Sequence, residues 1–253
     1  MSIRGKFKFS ANGTSMPITN PPIPKNTLPA FTNTSCLEFR YKSNAEEVVK
    51  IIPDIFEIDE NPEVIVRTFN FGLSRVGNYR EIIFYVVVYL QGKTYEYVPY
   101  IYASNDAVLI SGREPLGMPK LIANIEFNPL KESNTPLVTT KLSRPAEVTL
   151  AHGVFRPSGY LGQIEDKPEL YDQGRITGLR SLPGRPPIAE VCSSQIHFTS
   201  GDVWFGDGCM AYTAFSYIDD IHKMPVVEPM KAKLIVNGSG IIKDSKFIDV
   251  SEL

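Results

Sequence analysis

The chain is poor in cysteine, poor in histidine and without an excess of either charge. Its three cysteines, Cys36, Cys192 and Cys209, are odd in number and widely spaced. That argues against a disulfide framework or a C-x-x-C metal site, and leaves buried, reduced thiols as the expectation. The three histidines, His152, His197 and His222, lie far apart, with no pairing at metal-ligand spacing, so no metal is expected. A net charge of −2 gives no reason to expect nucleic acid or a membrane surface as partner. The longest apolar run, residues 82–90, falls well short of the ~18 residues that suggest a membrane span. The first residues, Met1 to Phe7, lack the apolar stretch of a signal peptide. A soluble, cytoplasmic protein is the expectation.

Cofactor and triad signatures are missing too. No G-x-G-x-x-G opens a helix after a strand, no G-x-x-x-x-G-K-[ST] loop occurs, and no G-x-S-x-G elbow is present. Gly238-Ser239-Gly240 reads as a plain turn. No cofactor is therefore expected.

What the chain does have is β-forming sequence. At 253 residues and 43% hydrophobic content it can bury a sizeable core, and all-β domains of roughly 200–250 residues are common. One domain over 1–253 is expected. Its first thirty residues carry Pro17, Pro21, Pro22, Pro24 and Pro29, which favour an extended N-terminal arm. A short helix is predicted after Ser43, with Glu46 completing a capping box and Pro53 ending it. Strands are predicted over 64–73, 81–90, 94–102, 107–110, 121–127, 137–142, 146–150 and 188–198, a series that points to a sandwich or barrel. A second helix is predicted within 210–222. The stretch 157–187, rich in glycine and proline, is predicted to be long loops.

Among the polar residues Lys120 stands out. It follows Pro119 and opens a probable strand whose alternation puts Leu121, Ala123, Ile125 and Phe127 on one face. Pattern alone reads Lys120 as an exposed lysine, because lysine is rarely buried.

The surrounding residues change that reading. Gly112-Arg113-Glu114, then Pro119-Lys120 directly before a strand, resembles the signature of the acetoacetate decarboxylase family. The resemblance covers most of the chain. Gly77-Asn78-Tyr79-Arg80-Glu81 resembles the segment carrying that family's active-site glutamate. The helix ending at Pro53, with Glu57-Ile58-Asp59 after it, resembles the family's early helix. Trp204-Phe205 and Met224-Pro225-Val226 resemble a tryptophan-containing strand and a turn before the last strands. The resemblance implies a mainly β fold: a closed cone-like β-barrel with a few short helices and a mostly apolar cavity. It also implies a homo-oligomer and a small-molecule keto acid as partner. Lys120 falls on the family's Schiff-base lysine and Glu81 on its glutamate. Arg113 and Glu114 are expected to brace the turn that holds Lys120, and Met118 to line the cavity. Three positions depart from the family. Leu121 stands where a second lysine is usual, and Thr34 where an arginine is. Val66, or Arg67 with a slip of one residue, stands where a further glutamate is.

The chemistry sets a condition. An amine attacks a ketone only when neutral; free lysine titrates near ~10.4, and burial in an apolar cavity lowers that by up to ~3–5 units. The iminium then acts as an electron sink, with Glu81 moving protons. Three activities remain open: decarboxylation of a β-keto acid; aldol, dehydration or cyclisation chemistry on a larger keto acid; and binding of an apolar ligand without catalysis.

Overall fold

A computed structural model of the chain describes residues 3–7, 15–17, 19–23, 29–127, 129, 135–145, 147–171, 174–182, 188–213, 216 and 218–252. The segments densest in β-branched and aromatic residues form the first four strands: β1 (Ala30–Lys42), β2 (Glu63–Ser74), β3 (Tyr79–Leu90) and β4 (Lys93–Ala103). They pair antiparallel in chain order. A short helix, α1 (Ala45–Val48), lies between β1 and β2, and α2 (Asp106–Leu116) follows β4. Next come β5 (Lys120–Ile122), β6 (Asn124–Phe127), β7 (Val138–Ser143), β8 (Thr149–Gln163), β9 (Ile176–Leu182), β10 (Ile188–Tyr212), β11 (Glu228–Pro229) and β12 (Ala232–Asp249).

The pairings form a ring. From β4 they pass to β9, then β10, then β12, and β12 pairs back onto β1. The second half of β10 leaves the ring to pair with β8, which extends through β7 to β6 as an outer layer. Strand alternation assigns each side chain to one of two cores. Ile65, Phe69, Ile83, Tyr85 and Ile101 pack inside the ring. Val64, Val66, Ile82, Phe84 and Val86 pack outward against Ile125, Leu142 and Phe155 of the outer layer. The mainly β barrel expected from the sequence is what the chain forms.

Several predicted elements need correction. Residues 107–110 are helix, within α2. Their short apolar run mimics a strand, but Asn105 caps the helix by accepting from the Val108 amide at 2.8 Å. Gly117 ends it at φ 66°, with Met118 N–H donating to Gly112 O at 3.0 Å. The first helix is capped by Asn44 rather than Ser43, whose hydroxyl donates to Pro225 O. The predicted helix over 210–222 is strand to Tyr212 and a 3-10 turn at Ile221–Lys223; residues 214, 215 and 217 lie outside the described residues. The predicted loop over 157–187 holds the end of β8 and all of β9, with 172, 173 and 183–187 outside the described residues. Gly159 in β8 is packing, not flexibility: a Cβ there would sit 2.5 Å from the Phe205 ring. Cys36 and Cys192 are buried as expected, but Cys209 is exposed.

Of the N-terminal arm, Ile23 is buried, and the Met16 amide donates to Glu114 Oε2 at 2.9 Å. Among the described residues no helix is long and apolar enough to cross a membrane.

Candidate active site

Lys120 owes its position to the end of α2. The left-handed Gly117 turns the chain, and Pro119 lets the Lys120 amide close a tight turn onto Met118 O at 2.8 Å. Lys120 then pairs with Ile101 as the first residue of β5, parallel to β4. Arg113 Nη1 donates to Lys120 O at 3.0 Å, which fixes the backbone of the turn. The Lys120 side chain runs inward over Gly112, where an added Cβ would overlap its Cδ and Cε. Lys120 is only 7% exposed. The exposed lysine that pattern alone suggests is therefore wrong; the break in alternation comes from the Gly117 turn.

Glu81 reaches the same point from β3, between Phe69 and Ala103 on the neighbouring strands. It is 3% exposed, and Lys120 Nζ donates to its Oε1. Lys120 lines a pocket of about 40 Å³ whose wall also includes Phe31, Tyr79, Val108, Ser111 and Leu116. Burial first, then the nearby Glu81 carboxylate, push the Tyr79 phenol well above its usual range, and Arg75 opposes them in part. Tyr79 sits two residues before Glu81 on the same strand face, so period two was the signal for it. Val108 and Ser111 share a helix face with Gly112 at spacings of three and four.

The other predicted residues separate by role. Arg113 braces the turn. Glu114 instead holds the N-terminal arm through Met16. Met118 is buried in the inner core. Among the described residues no three of His, Cys, Asp and Glu group as a metal would require.

With this geometry, likeness to known proteins becomes informative. The acetoacetate decarboxylase (ADC) family profile matches residues 15–241. The chain belongs to the acetoacetate decarboxylase family. It is 31% identical over 240 residues to Decarboxylase DEC1 of Cochliobolus heterostrophus, covering 92% of this chain and 93% of that protein. A solved acetoacetate decarboxylase structure shares its fold with a TM-score of 0.82 at 19% identity, over 94% of this chain and 96% of the other. MppR, an enduracididine biosynthesis enzyme solved with the condensation product of pyruvate and imidazole 4-carboxaldehyde, matches with a TM-score of 0.72 at 15% identity, over 96% and 98%. This family member is a decarboxylase or a related enzyme of that kind.

The departures from the acetoacetate decarboxylase pattern now have surroundings. Leu121 packs toward the outer core, away from the Lys120 amine. Thr34 is fully buried and donates to Thr32 O at 3.3 Å. Val66 also faces the outer core; the inward residue of that strand is Arg67. Arg67 is fully buried and saturated by carboxylates. Its Nη1 donates to Glu96 Oε2 at 2.5 Å and its Nε to Glu38 Oε2 at 2.6 Å. Its guanidinium lies 4.8 Å from the Tyr85 ring centre. Glu96 also accepts from the Gly174 amide at 3.0 Å, and Glu38 from Arg40 Nε at 2.8 Å. Arg67 is thus a cation engaged in a structural cluster. A single arginine on an apolar strand gave no sequence signal of its two partners.

Burial works to raise the Glu38 carboxyl, but Arg67 and Arg40 outweigh it and bring it from 4.5 down to about 2. A folded-state value below the unfolded one stabilises the fold above pH ~4.5, and that part is lost as pH falls through about 2. It corresponds to on the order of 3 kcal/mol. Urea unfolding followed from pH 5 to pH 2.5 is expected to show this loss, and Glu38→Gln to flatten it. Equal pH slopes in both proteins would count against the assignment.

Proposed function

We propose that this protein is a cofactor-independent lyase that forms a Schiff base between Lys120 and a keto acid and decarboxylates a β-keto acid. One observation carries the reading: a buried lysine amine, paired with Glu81, faces a small pocket walled by both apolar and polar side chains. The pocket is far below the ~300–1,000 Å³ of sites for drug-sized ligands, which suits a substrate of a few heavy atoms.

In the resting pair an ammonium faces a carboxylate. Transfer of the proton from Lys120 to Glu81 leaves a neutral amine and a neutral acid. The amine attacks the ketone carbon, and the Glu81 acid returns its proton to the carbinolamine hydroxyl, which departs as water. The iminium takes up the electron pair of the bond to the carboxylate as carbon dioxide leaves. Protonation of the enamine carbon and hydrolysis of the imine then release the ketone and restore Lys120. Holding amine and acid in contact makes each proton transfer local.

The same enamine can attack an aldehyde instead of a proton. Thr34 and Val66, standing where the family carries an arginine and a further glutamate, favour this condensation as the second reading.

The test is trapping. The protein is incubated with acetoacetate or pyruvate, reduced with borohydride and weighed intact, and the modified peptide is mapped. One covalent adduct on Lys120 is expected; absence of an adduct with every small keto acid tried sinks the proposal. Carbon dioxide release from a panel of β-keto acids separates the two readings. Release from none, with condensation of pyruvate onto an aldehyde, favours the second.

Gly112 gives a finer test of position. In Gly112→Ala the new methyl group must push the lysine stem aside, since it would overlap Cδ and Cε. The helix itself gains about 0.5–1 kcal/mol from alanine. Melting temperature is therefore expected to hold within a few degrees while kcat/KM falls about 10²-fold, the scale of a ~1 Å misplacement. Unchanged kcat/KM would show that the amine need not lie where it is seen.

A further inference from the structure

The pocket in front of Lys120 holds a second cation. Arg75 lies in its wall, opposite the end of α2 and beside the start of β1. It comes from the turn between β2 and β3, and that turn is firmly built. Gly77 N–H donates to Ser74 O at 3.0 Å, the Ser74 hydroxyl donates to Gly77 O at 2.9 Å, and the Val76 amide donates to the same hydroxyl at 3.2 Å. Gly77 supplies the positive φ of 83° that closes it. Among the described residues the other cations near the site are engaged: Lys120 with Glu81, Arg113 with Lys120 O and Arg80 with Phe127 O. Among the described residues no ion pair or hydrogen bond engages Arg75, which is half-buried. A guanidinium held in a pocket wall by an ordered turn, with no carboxylate partner among the described residues, is suited to pairing with an anionic group.

We propose that Arg75 binds the carboxylate of the keto acid substrate, replacing the cation lost at Thr34, and so sets the preference for keto acids over neutral ketones. This rests on the imine reading of Lys120. The chemistry limits what Arg75 can do. As the carbon–carbon bond breaks, the carboxylate charge passes through the iminium, so an arginine holding that carboxylate binds the ground state at least as well as the transition state. Arg75 is thus a specificity-determining residue whose loss raises KM with little effect on kcat. Its half-exposed position also makes the contact sensitive to salt.

The test compares two carbonyl compounds of one carbon skeleton, neither of which loses carbon dioxide: 4-oxopentanoate, an anion, and 2-pentanone, neutral. The concentration giving half-maximal borohydride trapping is measured for each, in the parent protein, Arg75→Gln and Arg75→Lys. Arg75→Gln is expected to raise it about ten- to a hundredfold for 4-oxopentanoate and to leave 2-pentanone within about twofold, with an unchanged melting temperature. Arg75→Lys is expected to recover part of the loss, because it keeps the charge but not the two-point fork. Equal shifts for both compounds, or none for the acid, would overturn the role of Arg75 and leave the imine standing. Trapping of neither compound by the parent protein would overturn the imine reading, and the role of Arg75 with it.

Discussion

Lys120→Ala is expected to carry no borohydride-trapped adduct and to lose about 10³-fold or more in kcat/KM, the scale seen when a covalent nucleophile is removed. The size follows from the division of labour in the site. Glu81 can move protons, and the apolar wall can exclude water, but neither replaces a covalent electron sink. The substitution also leaves Glu81 buried without its cation, which costs about 3–5 kcal/mol. A second variant keeps folding and chemistry apart. Lys120→Arg retains a cation for Glu81 but presents a guanidinium that stays protonated and does not form imines. It is expected to fold and to carry no adduct. An adduct that survives in Lys120→Ala would mean that another amine performs the attack.

Arg67→Met is expected to lose about 3–5 kcal/mol of stability, or roughly 10 °C in melting temperature for a chain of this size. Arg67 is fully buried, and its removal leaves both Glu38 and Glu96 facing an apolar interior without a counter-charge. Each donor of the guanidinium that engages a carboxylate is lost at once. The cost belongs to the orphaned charges rather than to the arginine itself. Arg67→Met combined with Glu38→Gln and Glu96→Gln is therefore expected to recover much of the loss, since removing a whole buried ionic group is often near neutral. Thermal and urea unfolding measure both. A fully stable Arg67→Met would show that the cluster contributes nothing to the fold.

Much of the barrel was legible because its code is local. In β2 and β3, alternate residues are apolar toward both cores, and dense β-branched and aromatic runs leave little choice but strand. The errors arose where a local pattern was short or diluted. A run of four apolar residues at 107–110 reads as strand, although two caps, Asn105 and Gly117, mark α2. The glycines and Pro157 in β8 suggested loop, although Gly159 is there to admit the Phe205 ring. Tyr79 was within reach of the alternation that carries Glu81. Arg75 was not: a charged residue in a turn reads as solvated, and only the tertiary structure places it in the wall of the pocket that Lys120 lines.

The sequence by itself determined the mainly β architecture, the absence of known cofactor motifs and the family, because composition, alternation and the Gly112–Lys120 segment are written in consecutive residues. Tertiary structure alone decided that Lys120 is buried and meets Glu81, that Arg67 is the inward residue of its strand, and that Arg75 lines the same pocket as Lys120. The physical reason is common to all three. Burial and pairing depend on which strands become neighbours and in what register, and register is set by the closed ring as a whole.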